Sequence, residues 1–156
     1  MEKTNVCRIL DRFGIKYRLM STDEVERDSY LNENGLVFKT LVTVSNTGEH
    51  FVFVVPTEGT LDLKAAAKAA GVKKIDMIRQ KELLPLTGYV HGGCSPVGMK
   101  KEFPTVIDAF AELNDEICVS AGHVDRRVVL DPNDLFRVLR NVKYAEVAGY
   151  ADSPKQ

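Results

Sequence analysis

Tryptophan is absent from this 156-residue chain, and cysteine is scarce, with three. Cys7, Cys94 and Cys118 lie far apart and make no C-x-x-C pair. That argues against a disulfide framework and against a structural zinc site. No apolar run approaches the length of a membrane span. The opening Met1-Glu2-Lys3-Thr4-Asn5 begins a charged amphipathic segment and not a signal peptide, so a cytoplasmic protein without a membrane partner is expected. Internal repeats, low-complexity tracts and interdomain linkers are missing as well, and residues 1–156 read as one domain, long enough for a real core. Two nucleotide fingerprints are lacking, since no G-K-[ST] closes a glycine loop and no G-x-G-x-x-G occurs. Net charge is nearly nil at −1, which on its own argues against nucleic acid. With 44% apolar and 28% charged residues, the composition is that of a soluble globular protein.

The charge that is present is unevenly placed. From Lys64 to Lys101 eight bases (Lys64, Lys68, Lys73, Lys74, Arg79, Lys81, Lys100, Lys101) stand against two acids, Asp76 and Glu82. Gathered on one face, they form a phosphate-attracting footprint; spread over helix surfaces, they are only solvated. The stretch from Thr87 to Lys101 holds four glycines, Gly88, Gly92, Gly93 and Gly98, and one proline, Pro96. Glycine admits positive φ and close approach to the backbone, while proline stiffens the turn. Such a loop can be an ordinary turn, or its exposed amides can bind an anion or an oxyanion.

Along the chain, Thr4 is placed to cap a helix through Val6, Ile9, Leu10 and Phe13, stopped by Gly14. Ile15, Tyr17 and Leu19 alternate as a strand, and Ser21 to Asn34 reads as a loop or a frayed short helix. Leu36 to Val44 and Phe51 to Val55 read as paired strands around the turn Asn46 to Glu49. An Ala-rich helix starts at Thr60 or Asp62 and stops at Gly71. Val72 to Ile78 is a short strand, and Lys81 to Leu84 a single helical turn before Pro85. Phe103 to Ile107, Glu116 to Ser120 and Val128 to Leu130 are further strands. Asp131-Pro132 opens a helix through Leu139, and Ala151 to Gln156 is a loose tail. Together these give a mixed α/β, α+β-like domain on one curved sheet.

Lys39 is the anomaly of the pattern, a lone ammonium inside an apolar strand. Either it reaches an anion, a carbonyl cluster or a cleft, or its stem lies on apolar surface at the strand edge with its head in water. With the Gly92 to Pro96 loop and the Ser120-Ala121-Gly122 turn it makes a possible constellation for a carbonyl or a phosphate. No general base is evident beside them; His91 and His123 lie in loops. A cysteine hydrolase on Cys94 with His91 or His123 is a competing class, though its signatures are absent.

Phe38-Lys39-Thr40-Leu41, Leu61-Asp62-Leu63-Lys64-Ala65-Ala66, Thr87-Gly88-Tyr89, Gly92-Gly93-Cys94-Ser95-Pro96-Val97-Gly98-Met99-Lys100-Lys101 and Val119-Ser120-Ala121-Gly122 resemble the YbaK family. These are free-standing relatives of the editing domain inserted in bacterial prolyl-tRNA synthetase, and the likeness runs from about residue 4 to residue 147. The resemblance is nearest to the Cys-tRNA(Pro) deacylases. It implies a trans-editing enzyme on a curved, barrel-like mixed sheet with flanking helices, without metal or organic cofactor. It implies Lys39 and Gly92 as the residues tied to activity. Thr22, Thr40, Gly93, Ser95, Pro96, Ser120, Gly122 and Arg127 would line the substrate site. It implies substrate-assisted chemistry, in which the thiol of the mischarged cysteine attacks its own ester and leaves as a thiolactone. The implied partners are the acceptor end of proline tRNA, meeting the basic middle third, and prolyl-tRNA synthetase. The chain departs from close relatives at Thr22, where they carry tyrosine, and at His123 to Arg127, where they carry a base, a Gly-Leu pair and a polar or acidic residue. The segment Ser21 to Gly35 is also shorter than in many relatives. A tRNA- or synthetase-binding module without catalysis, and a deacylase for alanyl or other aminoacyl groups, are the alternatives.

Overall fold

The computed structural model describes residues 1–150; the tail reading for 151–156 lies outside them. The Thr4 hydroxyl accepts the Cys7 N–H at 3.3 Å and caps α1, Asn5–Arg12, which turns Val6, Cys7 and Leu10 inward. After it comes β1, Tyr17–Ser21. The polar stretch that follows holds two helices, α2 at Thr22–Glu26 and α3 at Ser29–Glu33. Local caps make them: Ser21 and Glu24 form a reciprocal capping box, and Asp28 accepts the Leu31 N–H at 2.9 Å. Val25 and Leu31 then pack on the sheet beneath.

Two long strands form the centre, β2 at Phe38–Ser45 and β3 at His50–Pro56. The short β4, Thr60–Leu61, leads into α4, Leu63–Ala70, capped by Asp62 and closed by Gly71 at φ 72°. Only Ile75–Met77 of the expected 72–78 strand is β5. The next helix, α5, runs Gln80–Thr87, so the chain does not stop at Pro85. Pro85 can donate no bond back to Lys81, yet the last turn still closes, with Gly88 N–H on the Leu84 carbonyl at 2.9 Å. The later elements are β6 at Thr105–Asp108, β7 at Ile117–His123, β8 at Arg126–Leu130, α6 at Leu135–Val138, β9 at Val142–Ala145 and β10 at Ala148–Gly149. A 3-10 turn at Pro132–Asp134 precedes α6, in place of one continuous helix from Asp131.

These strands form two main sheets where one curved sheet was expected. One has the order β1-β8-β7 and is antiparallel; the other is mixed, in the order β5-β2-β3-β6-β9, and β4 pairs separately with β10. They do not close into a barrel. They meet at one parallel bridge, Val37 to Cys118, where the Cys118 N–H donates to the Leu36 carbonyl at 2.8 Å. The reason lies in β2. One edge is paired with β3 throughout, but the other is shared, with β7 at its start and β5 at Thr43–Ser45. Between them the edge of residues 38–41 has no strand partner, and the sheet opens there.

The principal core lies on the face of Phe38, Val54, Ile107, Val119 and Leu130, covered by α1 and α6. On the opposite face α4 covers Phe53 and Val55, while α2 and α3 cover Cys118 and Val129.

Candidate functional site

Strand alternation places the side chains that matter. Val119, Ala121 and Val128 belong to the principal core, so Cys118, Ser120 and Arg127 point to the other face. Arg127 is paired with Met20 on one side and Ser120 on the other. The bridge of Val37 to Cys118 sets Lys39, two residues on, level with Ser120, two residues on. Met20, Arg127 and Ser120 therefore form one paired row across β1, β8 and β7. Lys39 points to the same side from β2, across the place where β2 and β7 part.

Lys39 is half-buried, and its ammonium donates to the Gly59 carbonyl at 2.8 Å. An ammonium has three donors, so two remain for a ligand. Gly59 sits in the turn between β3 and β4. A Cβ there would meet the Gly149 carbonyl at 3.0 Å and the Tyr150 ring at 3.1 Å, so a side chain at this perch would press on both. Gly59 is the residue that reading the sequence missed. Nothing in the sequence says that a lysine reaches its carbonyl.

Ser120 is 4% exposed, and its Oγ accepts the Gly122 N–H at 3.1 Å. Between Ser120 and His123 the ladder to β8 is irregular, and Gly122, at φ 93°, bends β7 out of register. The glycine loop lies against this bend. Gly92 is exposed and takes φ 85°, a conformation that disfavours any side chain. Gly93 is buried for a different reason: a Cβ there would meet His123 C and Val124 N at 3.2 Å. Thr22 fastens the same turn from the far side, donating its hydroxyl to the Val124 carbonyl at 2.8 Å and its N–H to the Asp125 carbonyl at 3.0 Å. Gly92, Gly93, Ser120, Gly122, Arg127 and Thr22 are thus gathered at one end of the β7–β8 hairpin, with Lys39 approaching from β2.

Three expected residues stand elsewhere. Thr40 is paired with Val54 and faces the principal core, away from Lys39; its hydroxyl is buried without a partner among the described residues. Ser95 and Pro96 are buried inside the loop, where Ser95 Oγ accepts the Val97 N–H at 3.2 Å. They brace the loop from within.

The arrangement offers cations and backbone amides, and no nucleophile with a base. Cys94 packs against Val42, Val52 and Phe103, and burial pushes its thiol up to about 12. His91 and His123 are exposed and make no side-chain hydrogen bond among the described residues. No cluster of three His, Cys, Asp or Glu suited to a metal occurs among the described residues. A separate cavity of about 340 Å³, lined by Asn5, Tyr89, Lys100 and His123 among others, opens beyond Gly122; neither Lys39 nor Arg127 lines it.

Comparison with known proteins matches residues 20–138 to the aminoacyl-tRNA editing domain. EbsC of Enterococcus faecalis, named provisionally as a Cys-tRNA(Pro)/Cys-tRNA(Cys) deacylase, is 40% identical over 94% of this chain and 93% of its own. The crystal structure of the hypothetical protein APE2540 superposes with a TM-score of 0.80 at 23% identity, covering 94% of this chain and all of that one. A crystal structure described as a candidate trans-editing enzyme for prolyl-tRNA synthetase gives 0.74 at 22% identity, over 95% of this chain and 99% of its own. At these identities the two structures attest the fold.

Proposed function

This chain belongs to the aminoacyl-tRNA editing domain family, and on that premise we propose that it clears cysteine from mischarged proline tRNA. It is an aminoacyl-tRNA deacylase. The observation that carries the choice of cysteine is the 40% identity with EbsC across nearly the full length of both chains. The reading treats the chain as one editing domain acting in the cytoplasm beside prolyl-tRNA synthetase, whose errors it would correct.

The site chemistry fits a reaction in which the substrate supplies its own nucleophile. The sulfur of the esterified cysteine attacks the ester carbonyl and forms the C–S bond. The bond from that carbon to the ribose oxygen breaks, and the thiol proton ends on that oxygen through water. A cyclic thiolactone leaves and intact tRNA remains. The protein then has two tasks. It holds the ester in the attack geometry, and it stabilises the oxyanion that develops. The two free donors of Lys39 and the backbone at Gly92 suit the second task. Ser120, Gly122 and the pinned turn at Val124 suit the first.

Release of radiolabelled cysteine from charged proline tRNA tests this, with the sulfur product trapped and identified. Lys39→Ala is expected to slow release by roughly a hundredfold or more, the scale of losing one preorganised oxyanion stabiliser. Near-normal release by that variant would remove Lys39 from the mechanism. Free cysteine as the first product, with no thiolactone ever trapped, would replace the self-cleaving route with direct attack by water.

A further inference from the structure

Arg126, the neighbour of Arg127, shows what an occupied guanidinium looks like in this hairpin. Arg126 donates to the Glu2 carbonyl at 3.2 Å and lies 3.8 Å from the Asp125 carboxylate. Arg127 is half-buried too, yet among the described residues it has neither a hydrogen bond nor an ion pair. It points to the face of Ser120 and Cys118, and its charge opposes the upward push that burial gives the Cys118 thiol. The acids nearby are committed: Glu116 is held by Arg18 at 3.1 Å, and Asp28 caps α3. A half-buried cation left unpaired on the functional face is poised for an external anion.

We propose that Arg127 forms an anion subsite for the 5′-phosphate of the nucleotide that carries the aminoacyl group. This rests on the deacylase reading above. The chemistry of that substrate selects the phosphate. Its α-carboxyl is tied up as the ester and carries no charge. Its α-ammonium is repelled by a guanidinium. The nearest fixed anion is the phosphate on the other side of the ribose. Arg127 is one strand spacing, roughly 5 Å, from Ser120, and Lys39 lies further along, across the parting of β7 and β2. Two long cationic side chains converging across that gap can hold the ester at one end and the phosphate at the other.

The test uses the full chain and two cysteinyl esters of adenosine, one with a 5′-phosphate and one without, together with the matching non-hydrolysable amides for calorimetry. The wild type is expected to bind the phosphorylated amide roughly tenfold or more tightly than its partner, as one charge-assisted contact allows. Arg127→Gln should abolish that preference, and Arg127→Lys should keep part of it. In turnover, Arg127→Gln should raise KM for the phosphorylated ester with kcat within about twofold, and change KM for the unphosphorylated ester far less. A preference that survives in Arg127→Gln overturns the subsite. So does an equal loss of kcat on both esters with an altered pH profile, which would assign Arg127 to the substrate thiol instead. If the wild type cleaves neither ester, the deacylase reading fails, and the calorimetry alone decides the subsite.

Discussion

Cys94 and Cys118 are 8% and 0% exposed, and burial is the main force that pushes each thiol up to about 12 from an ordinary 9.0. Near pH 8 both remain protonated in the folded protein, and neither can act as a nucleophile. A thiol reagent at pH 8 should therefore label the native protein slowly, without loss of deacylation. Cys94→Ala should retain most activity. Fast labelling of either thiol together with inactivation would restore the cysteine-hydrolase class. The same shifts set a stability trend. The unfolded chain ionises these thiols near 9, whereas the folded chain holds its protons until about 12. Their contribution to stability is whole below pH 9 and drains away as the pH climbs towards 12. Denaturant midpoints measured between pH 7 and pH 10 should be flat at first and then fall. A midpoint that rises across that range would contradict the burial.

At the scale of elements, the perch of Lys39 is held by a relay through the C-terminal strands. Asp108 is buried at the end of β6, and its carboxylate accepts the N–H groups of Phe110, Val147 and Ala148 at 3.1, 2.9 and 2.9 Å. Ala148 and Gly149 are β10, which pairs with Thr60 and Leu61 of β4, directly after Gly59. Removing the carboxylate strands three backbone donors, and Asp108→Ala should cost about 3 kcal/mol. That corresponds to a melting point lower by roughly 6–12 °C for a chain of this size. Activity should also fall in the surviving folded fraction, because the Gly59 carbonyl loosens; full activity at reduced stability would disconnect the relay from the site. Little of this relay was legible beforehand. The β2 strand, the α1 cap and the glycine loop declare themselves by β-branched runs, Thr4 and clustered Gly and Pro. The strands β4, β9 and β10 are too short to carry a period of two. The helices α2 and α3 owe their existence to caps, the Ser21-x-x-Glu24 box and Asp28, inside a polar stretch that reads as a loop or a frayed short helix. For the site, residue types were readable but faces were not. Thr40 and Lys39, neighbours in a strand, must point to opposite sides, but only the packing shows which of them faces the principal core.

On the proposed reading the whole molecule must bring an anionic acceptor stem to this row while carrying a net charge of −1. The fold resolves the basic middle third into paired and unpaired members. Lys74 is 3.6 Å from Asp76 and Arg79 is 3.0 Å from Glu82, both as exposed pairs. Lys64, Lys68, Lys73, Lys81, Lys100 and Lys101 have no ion pair among the described residues. Lys64 and Lys68 ride on α4, which covers the same sheet face to which Lys39 points, and Lys100 lies beyond Gly122 beside the glycine loop. Both groups are candidates for phosphate contacts with a bound acceptor stem. Phosphate contacts of this kind release counterions, and the logarithm of affinity falls with the logarithm of salt by about 0.7–0.9 per contact. The KM for charged tRNA should therefore rise steeply between 50 and 200 mM salt, roughly tenfold or more for a few contacts. The KM for the small cysteinyl ester without phosphate should hardly move over the same range. The double variant Lys64→Glu, Lys68→Glu should raise KM for tRNA several-fold at low salt and flatten the salt slope, with kcat on the small ester unchanged. A slope equal to wild type in that variant would mean that the acceptor stem lies against another face, and the α4 lysines would then be solvated surface.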